Sequence, residues 1–131
     1  MIEPVDYVLK FNADFYQPIM EEIKTSTIRA DTKPLKVGDV CYAYFPDIKT
    51  VMFLLITDHY AKKVHDLNKD DAYAEGYLHE DLLKHELRRN IYPELLDTDY
   101  VYIYKFQGVR GDEDADGDAQ KLLDDFLKQQ K

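Results

Sequence analysis

Five short stretches of this chain either alternate apolar with polar residues or cluster apolar ones, which is typical of β-strands. They are rich in β-branched and aromatic residues and predict strands at about 5–11, 25–30, 40–45, 50–64 and 99–106. The fourth contains the most apolar run in the chain, so we expect a long central strand that bends after Asp58. In the last, Tyr100, Tyr102 and Tyr104 fall on one side, because side chains alternate between faces along a strand.

Apolar residues at helical spacing predict short helices at about 14–22, 69–75 and 79–91. The side chain of Asn68 can cap the second helix, with Asp71 three residues later as an imperfect capping box. Gly76 can end that helix in the left-handed conformation, and Pro93 ends the third. The order of strand, helix, several strands, two helices and strand predicts an α+β fold, with a small curved sheet or barrel and helices packed on it.

The chain has 131 residues, and its composition changes after the last predicted strand. We expect one domain at 1–107, followed at 108–131 by an acidic linker and a C-terminal helix. The apolar residues of that helix share one face and are Ala119, Leu122, Leu123, Phe126 and Leu127. The helix either docks on the body of the protein or contacts a partner, so self-association through it is one expectation.

The formal net charge is −9, which argues against broad binding to nucleic acid, because such binding depends on neutralising phosphates. We therefore expect no binding to duplex DNA. A narrow cleft could still hold a short RNA strand, with tyrosines available for stacking on the bases. Its cations would be Lys24, Arg29, Lys33 and Lys36.

No apolar run approaches the length that spans a bilayer, and the first ten residues lack the pattern of a signal peptide. A cytoplasmic location without a membrane partner is therefore expected. The single cysteine, Cys41, excludes a disulfide within the chain, and its strand-like surroundings predict a buried core residue. The four histidines show no metal-ligand spacing, so we expect neither a metal ion nor a cofactor.

The segment "KTSTIR", residues 24–29, concentrates two cations and three hydroxyls in six residues. Taken singly, Lys24 could be a solvated cation near a helix C-terminus, and the hydroxyls of Thr25, Ser26 and Thr27 could satisfy local backbone groups. Arg29 could pair with any of the many acids. In an ideal strand Thr27 and Arg29 point to the same face, so Lys24 can join them only from the turn before the strand.

The longer segment "EEIKTSTIRADTKPLKVGDV" resembles the signature of the ASCH domain, a PUA-like β-barrel family. The matching residues are Lys24, Thr25, Thr27, Ile28 and Arg29, followed by Lys36, Gly38 and Asp39. The resemblance covers about residues 5–106 and implies a small PUA-like mixed β-barrel with flanking short helices, to which this chain adds the C-terminal helix. The glycine that the family usually has two positions before the lysine is replaced by Glu22.

One branch of this family is similar to small bacterial acetylcytidine amidohydrolases. Their catalytic set is a lysine and a threonine in this block and a glutamate after an alanine-bearing helix. The resemblance implies Lys24, Thr27 and Glu75 as the catalytic residues. It further implies a small nucleoside-like ligand, and we expect the substrate-binding residues to be Arg29, Thr25 and Ser26. From its position alone, Glu75 could equally be a surface acid at the end of a helix.

In the mechanism that this hypothesis implies, Thr27 attacks the acyl carbonyl, and Lys24, desolvated among tyrosines, takes its proton. Glu75 passes a proton to the leaving amine, and Arg29 or backbone amides stabilise the oxyanion. No metal ion is required. Two alternatives remain open: a non-catalytic RNA-binding module, and a protein-interaction module that uses the C-terminal helix.

Overall fold

A computed structural model describes residues 4–109 of the chain and has a mixed α+β fold. The strands are β1 (Val8–Lys10), β2 (Ser26–Arg29), β3 (Val40–Phe45), β4 (Thr50–Lys63) and β5 (Tyr100–Val109). The helices are α1 (Tyr16–Met20), α2 (Lys69–Glu75) and α3 (Glu80–Glu86). The last strand runs two residues past the expected boundary at 107, and the predicted C-terminal helix lies outside the described residues. None of the helices within 4–109 has the length and apolar character needed to cross a membrane.

The five strands form one sheet in the order β1-β3-β4-β5-β2, which curls into a half-barrel. β1 runs parallel to β3, and the other neighbouring strands are antiparallel. The expected α+β class and PUA-like barrel architecture are thereby confirmed. Two strands lie at the edges of the sheet, and one of them, β2, contains the "STIR" residues of the motif.

The long strand β4 bends where its register with β5 shifts by one residue, between Ile56 and Asp58. The extra residue, Thr57, makes a β-bulge, which bends the strand and increases its twist. The bend was expected after Asp58 and therefore lies slightly earlier. Alternation of apolar residues does not reveal the bulge, because the apolar run of β4 ends there and polar residues follow from Asp58.

Each face of the sheet packs against its own hydrophobic core. The core inside the half-barrel includes Leu9, Phe11, Ile19, Phe45, Leu54 and Phe106. The core between the sheet and helices α2 and α3 includes Ile28, Val64, Ala72, Leu83, Val101 and Ile103. Cys41 is fully buried in the first core, and burial raises the pKa of its thiol to about 12, which confirms a structural role.

Local chemistry fixes the ends of α2 as the sequence predicted. The Asn68 side chain accepts from the Asp71 backbone amide at 3.1 Å, and the Asp71 carboxylate accepts from the Asn68 amide at 2.9 Å. Gly76 ends the helix with a φ of 93°. The next helix is shorter than the predicted 79–91, because regular α-helix gives way at Leu87 to a π-helical turn that continues to Ile91.

The first helix is also shorter than predicted, since a separate 3₁₀ turn at Ala13–Phe15 precedes α1. After α1 the chain reverses towards β2, and Glu22 adopts a φ of 60° in this reversal. This is the left-handed region, where a residue with a Cβ atom is strained and glycine is not. The turn between α1 and β2 is therefore held in a conformation that a glycine, which the ASCH family usually has at the position of Glu22, would adopt more easily.

Replacing Glu22 by glycine is expected to stabilise the protein by about 1 kcal/mol, because the left-handed conformation costs other residues about that much. The free energy of unfolding, measured with urea, checks this. Glu21→Gly is a matched control, since it removes the same charge one residue earlier, where φ is −89°. It should destabilise the protein, and equal effects of the two variants would show that backbone strain at Glu22 is not the cause.

Candidate active site

A cleft of about 640 Å³ opens at the free edge of β2. Three consecutive residues of this strand, Thr27, Ile28 and Arg29, line it. Side chains of neighbouring strand residues point to opposite faces, so all three can reach one cleft only because it wraps around the edge of the sheet. Phe11 and Phe15 come from the β1–α1 side, and Tyr77 and Tyr92 from the helical side. The site is thus walled by aromatic rings.

A buried ion pair lies in this cleft. The Lys24 ammonium donates to the Glu75 carboxylate with Nζ–Oε2 at 2.9 Å, and the two residues are only 5% and 6% exposed. The Ser26 hydroxyl donates to the same Oε2 at 2.7 Å. Two donors on one carboxylate oxygen compensate for the loss of water around Glu75.

Backbone contacts bring the two partners of this pair together. The Lys24 amide donates to the Pro18 carbonyl at 3.1 Å, so the lysine lies in the turn after α1 and before β2. The Thr25 amide donates to the carbonyl of Ala74 at 2.6 Å, which ties that turn to the last turn of α2. Glu75 is the next residue along α2, and therefore its carboxylate faces Lys24.

The Thr27 hydroxyl is held by an arginine from the same strand. Arg29 Nε donates to Thr27 Oγ1 at 2.8 Å, and Arg29 Nη2 donates to the Lys10 carbonyl at 3.1 Å. The guanidinium lies 5.1 Å from the centre of the Phe11 ring, within range of a cation–π contact. Burial lowers the pKa of Arg29, while Tyr92 and Glu75 in the same cleft oppose that shift. Arg29 thus joins the edge strand β2 to β1 and orients Thr27.

Lys24, Thr27 and Glu75, which the resemblance implied as catalytic residues, line this one cleft together with Arg29. The ammonium of Lys24, however, is bonded to Glu75 rather than to Thr27, and the aromatic ring beside it is Phe15, at 4.9 Å from the ring centre. The expected tyrosine contact is therefore replaced by a phenylalanine.

Two predicted substrate-binding residues lie away from the cleft. Ser26 is 1% exposed and is engaged with Glu75, so it supports a lining residue and does not itself line the cavity. Thr25 borders a different depression, next to Glu22, and its Oγ1 lies 3.4 Å from the Ala74 carbonyl.

Sequence reasoning missed most of the residues that line the cleft, among them Tyr77, Glu86 and Tyr92. Tyr77 follows the helix-ending Gly76 and could have been found from that position, whereas Tyr92 follows a π-helical turn that no pattern revealed. Burial raises the pKa of Tyr77, and the carboxylates of Glu86 and Glu75 raise it further. Its phenol therefore stays protonated at neutral pH and can donate a hydrogen bond.

The charges of the cleft balance, although the chain as a whole is acidic. Among the residues that the structure describes, three cations and three carboxylates line it: Lys10, Lys24 and Arg29, and Asp14, Glu75 and Glu86. A balanced cleft offers no net attraction to a chain of phosphates. Within residues 4–109, no group of three or more histidine, cysteine, aspartate and glutamate side chains is placed to hold a metal ion.

Several solved structures share this fold. A DUF984 protein from Enterococcus faecalis is similar with a TM-score of 0.62 and 17% identity, over 71% of this chain and 65% of that protein. The ASCH domain of Lactobacillus crispatus is similar with a TM-score of 0.58 and 15% identity, over 77% of each chain. The ASCH protein of Zymomonas mobilis gives a TM-score of 0.56 and 15% identity, over 79% of this chain and 69% of that one.

These likenesses establish the ASCH-domain fold, which the "KTSTIR" segment predicted. At such low identity they establish the fold alone, and this chain spans slightly less than two thirds of the Enterococcus protein. No protein-family model and no curated protein matches the chain.

The buried ion pair is expected to be a strongly coupled unit. Lys24→Met should lower the free energy of unfolding by about 3 kcal/mol, because removing one partner leaves the other buried charge uncompensated. Lys24→Met combined with Glu75→Leu should recover most of that loss, as measured by urea unfolding of the single and double variants.

The pair between Lys62 and Asp71 provides a matched control, since it also joins a lysine to a buried carboxylate of α2, at 2.8 Å. Lys62 is 27% exposed there, and Asp71 keeps its bonds to Tyr60 and to the Asn68 amide. Lys62→Met should therefore cost only about 1 kcal/mol. A loss as large as that of Lys24→Met would contradict the distinction between the two pairs.

Proposed function

We propose that this protein is a small amidohydrolase that removes an acyl group from the exocyclic amine of a nucleoside such as acetylcytidine. The observation that carries the proposal is the meeting of a threonine hydroxyl and a buried lysine–glutamate pair in one aromatic, charge-balanced cleft. Amide hydrolysis needs a nucleophile, a proton acceptor and a group that stabilises the oxyanion. The cleft contains a candidate for each.

Thr27 is the proposed nucleophile. Its Oγ1 accepts a hydrogen bond from Arg29 Nε at 2.8 Å, so the hydroxyl proton is directed away from the guanidinium. The positive charge beside Oγ1 also favours the oxygen as it becomes an alkoxide. Arg29 therefore supports the attack of Thr27 on the acyl carbon and remains beside the oxyanion that follows.

The buried pair handles the protons. Lys24 gives a proton to Glu75 along their 2.9 Å hydrogen bond, which leaves a neutral amine able to accept the proton of Thr27. As the Thr27 oxygen bonds to the acyl carbon, the carbon–nitrogen bond breaks. The proton on Glu75 passes to the leaving amine. The products of this half-reaction are the free amine, an acyl-threonine ester and a Lys24 ammonium paired with a Glu75 carboxylate.

Water then completes the reaction. The Glu75 carboxylate takes a proton from a water molecule that attacks the ester, and the Lys24 ammonium returns a proton to the Thr27 oxygen. The carboxylic acid leaves, and the proton on Glu75 returns to Lys24 along their hydrogen bond, which restores the ion pair from which acylation began. Both half-reactions use the same two groups in opposite roles, as microscopic reversibility requires.

The electrostatics of the cleft support a neutral, nucleoside-sized ligand. Its three cations are matched by three carboxylates, and its rings, including Tyr77 and Tyr92, can stack on a planar base. An RNA-binding module would need an excess of cations along a groove, and the described residues that line this cleft provide none. RNA binding is therefore the alternative that the experiments below distinguish from hydrolysis.

Purified protein incubated with acetylcytidine should release cytidine, and chromatography measures the amount of cytidine over time. Thr27→Ala and Lys24→Met should each lower turnover by at least about a hundredfold, because each removes a group that handles bonds or protons in the transition state. Lys62→Met is the control: it opens the other lysine–carboxylate pair of α2, outside the cleft, and should keep nearly full activity.

Full activity in Thr27→Ala or in Lys24→Met, with the variant folded by circular dichroism, would exclude this mechanism. Absence of cytidine with ample folded enzyme would exclude acetylcytidine as the substrate. Weak RNA binding that falls steeply with salt would then favour the RNA-binding module.

Arg29→Lys tests the proposed role of the guanidinium separately. A lysine keeps the charge but cannot hold the Thr27 hydroxyl and the Lys10 carbonyl at once, because it lacks the planar fork of donors. We expect kcat to fall about a hundredfold with KM little changed, since the lost interaction strengthens in the transition state. A rise in KM alone would assign Arg29 to ground-state binding.

A further inference from the structure

The register of β2 determines which of its backbone groups face the cleft. The Thr25 carbonyl accepts from the Phe106 amide at 2.9 Å, and the register continues with Thr27 opposite Tyr104 and Arg29 opposite Tyr102. In an antiparallel pair, hydrogen-bonded positions alternate with positions whose N–H and C=O point away from the partner strand. The odd-numbered residues are therefore bonded to β5.

The two residues between them, Ser26 and Ile28, direct their backbone N–H and C=O to the open edge of the sheet. Of these two, Ile28 lines the cleft, while Ser26 lies outside it, buried against Glu75. The edge of β2 thus presents one donor and one acceptor to the cleft, side by side on Ile28. They adjoin Thr27 in the chain.

A single donor–acceptor pair limits what can bind there. An extended peptide that adds a strand to a sheet edge uses alternate residues in succession, and β2 has only one such residue in the cleft. A planar heterocycle with a ring nitrogen acceptor next to an exocyclic N–H donor needs one pair only. It would make the two bonds that one strand residue makes to its opposite partner.

We propose that the backbone of Ile28 recognises this acceptor–donor edge in the substrate. The Ile28 N–H donates to the ring nitrogen beside the exocyclic amine, and the Ile28 carbonyl accepts from the N–H of the acylated amine. This inference rests on the proposed function and narrows its substrate class to N-acylated aminoheterocycles with that edge, such as acylated cytosine. It makes Ile28 a specificity-determining residue through its main chain.

The position of Ile28 gives this recognition a consequence for catalysis. The acyl group is bonded to the nitrogen whose N–H the Ile28 carbonyl would hold, and the nucleophile is the preceding residue, Thr27. Fixing the base edge at Ile28 therefore fixes the position of the acyl carbon relative to the strand, and loss of one bond should reduce both binding and turnover.

A matched pair of ligands tests the acceptor. The 3-deaza analogue of acetylcytidine replaces the ring nitrogen with C–H and keeps the size and the acyl group. We expect its kcat/KM to be about tenfold lower than that of acetylcytidine, as for one lost hydrogen bond with an unsatisfied amide left behind. The unreactive products, cytidine and 3-deazacytidine, should show the same ratio in their dissociation constants by titration.

Two variants test the donor. Ile28→Pro removes the backbone N–H, and an edge strand tolerates proline where that N–H points outward. Ile28→Ala is the matched control, since it also removes the side-chain packing of a residue that is 2% exposed but keeps the N–H. The preference for cytidine over 3-deazacytidine should persist in Ile28→Ala and vanish in Ile28→Pro.

The outcomes separate this inference from the proposed function. One outcome would overturn the inference and leave the proposed hydrolase activity intact. In it, the protein turns over acetylcytidine and its 3-deaza analogue with equal kcat/KM and binds cytidine and 3-deazacytidine with equal affinity. Preferential binding of cytidine without turnover would support the inference while the hydrolase fails. If neither nucleoside binds at millimolar concentration, the inference is overturned. It is also overturned if Ile28→Pro retains the preference for cytidine over 3-deazacytidine. If Ile28→Pro does not fold, the ligand pair with wild-type protein still decides.

Discussion

The buried pair of Lys24 and Glu75 is the constraint on which the arrangement of this site depends. The two residues are 51 positions apart, and each is nearly excluded from water, so neither can be accommodated in its charged form without the other. The pair requires the turn after α1 to present Lys24 before β2 begins, and it requires α2 to end at Gly76, directly after Glu75. Local features that look unrelated in the sequence thus serve one contact.

Arg29 imposes a second constraint, on the sheet. Among the strands within residues 4–109, β2 has a single neighbour, β5, and the guanidinium of Arg29 reaches from β2 to the Lys10 carbonyl at the end of β1. These are the two edge strands of the half-barrel, so Arg29 links them where no backbone ladder does. The same side chain fixes the Thr27 hydroxyl, which means that the closure of the barrel and the orientation of the proposed nucleophile use one group.

Much of the fold was accessible from local chemistry. The strand at 40–45, the capping box at Asn68 and the helix end at Gly76 were predicted correctly, because each follows from side-chain alternation or from a specific backbone demand. Strand parity allowed Lys24 to join Thr27 only from the turn before β2, and Lys24 lies in that turn. The β-bulge at Thr57 and the π-helical turn after Glu86 were not predictable, since both depend on tertiary packing and leave no apolar period of their own.

In the site, too, some features could be predicted from the sequence and others depend on tertiary packing. The residues Lys24, Thr27 and Glu75 were grouped by resemblance, but the role of Ser26 as a donor to Glu75 needs the helix and the strand to be placed together. The edge position of β2 likewise appears only in the order of strands, because sequence neighbours do not reveal which side of a strand is unpaired. A backbone donor and acceptor carry no residue signature, so recognition by Ile28 could not be found from the sequence. An ion pair and an edge strand specified by different parts of the chain therefore converge on one cleft.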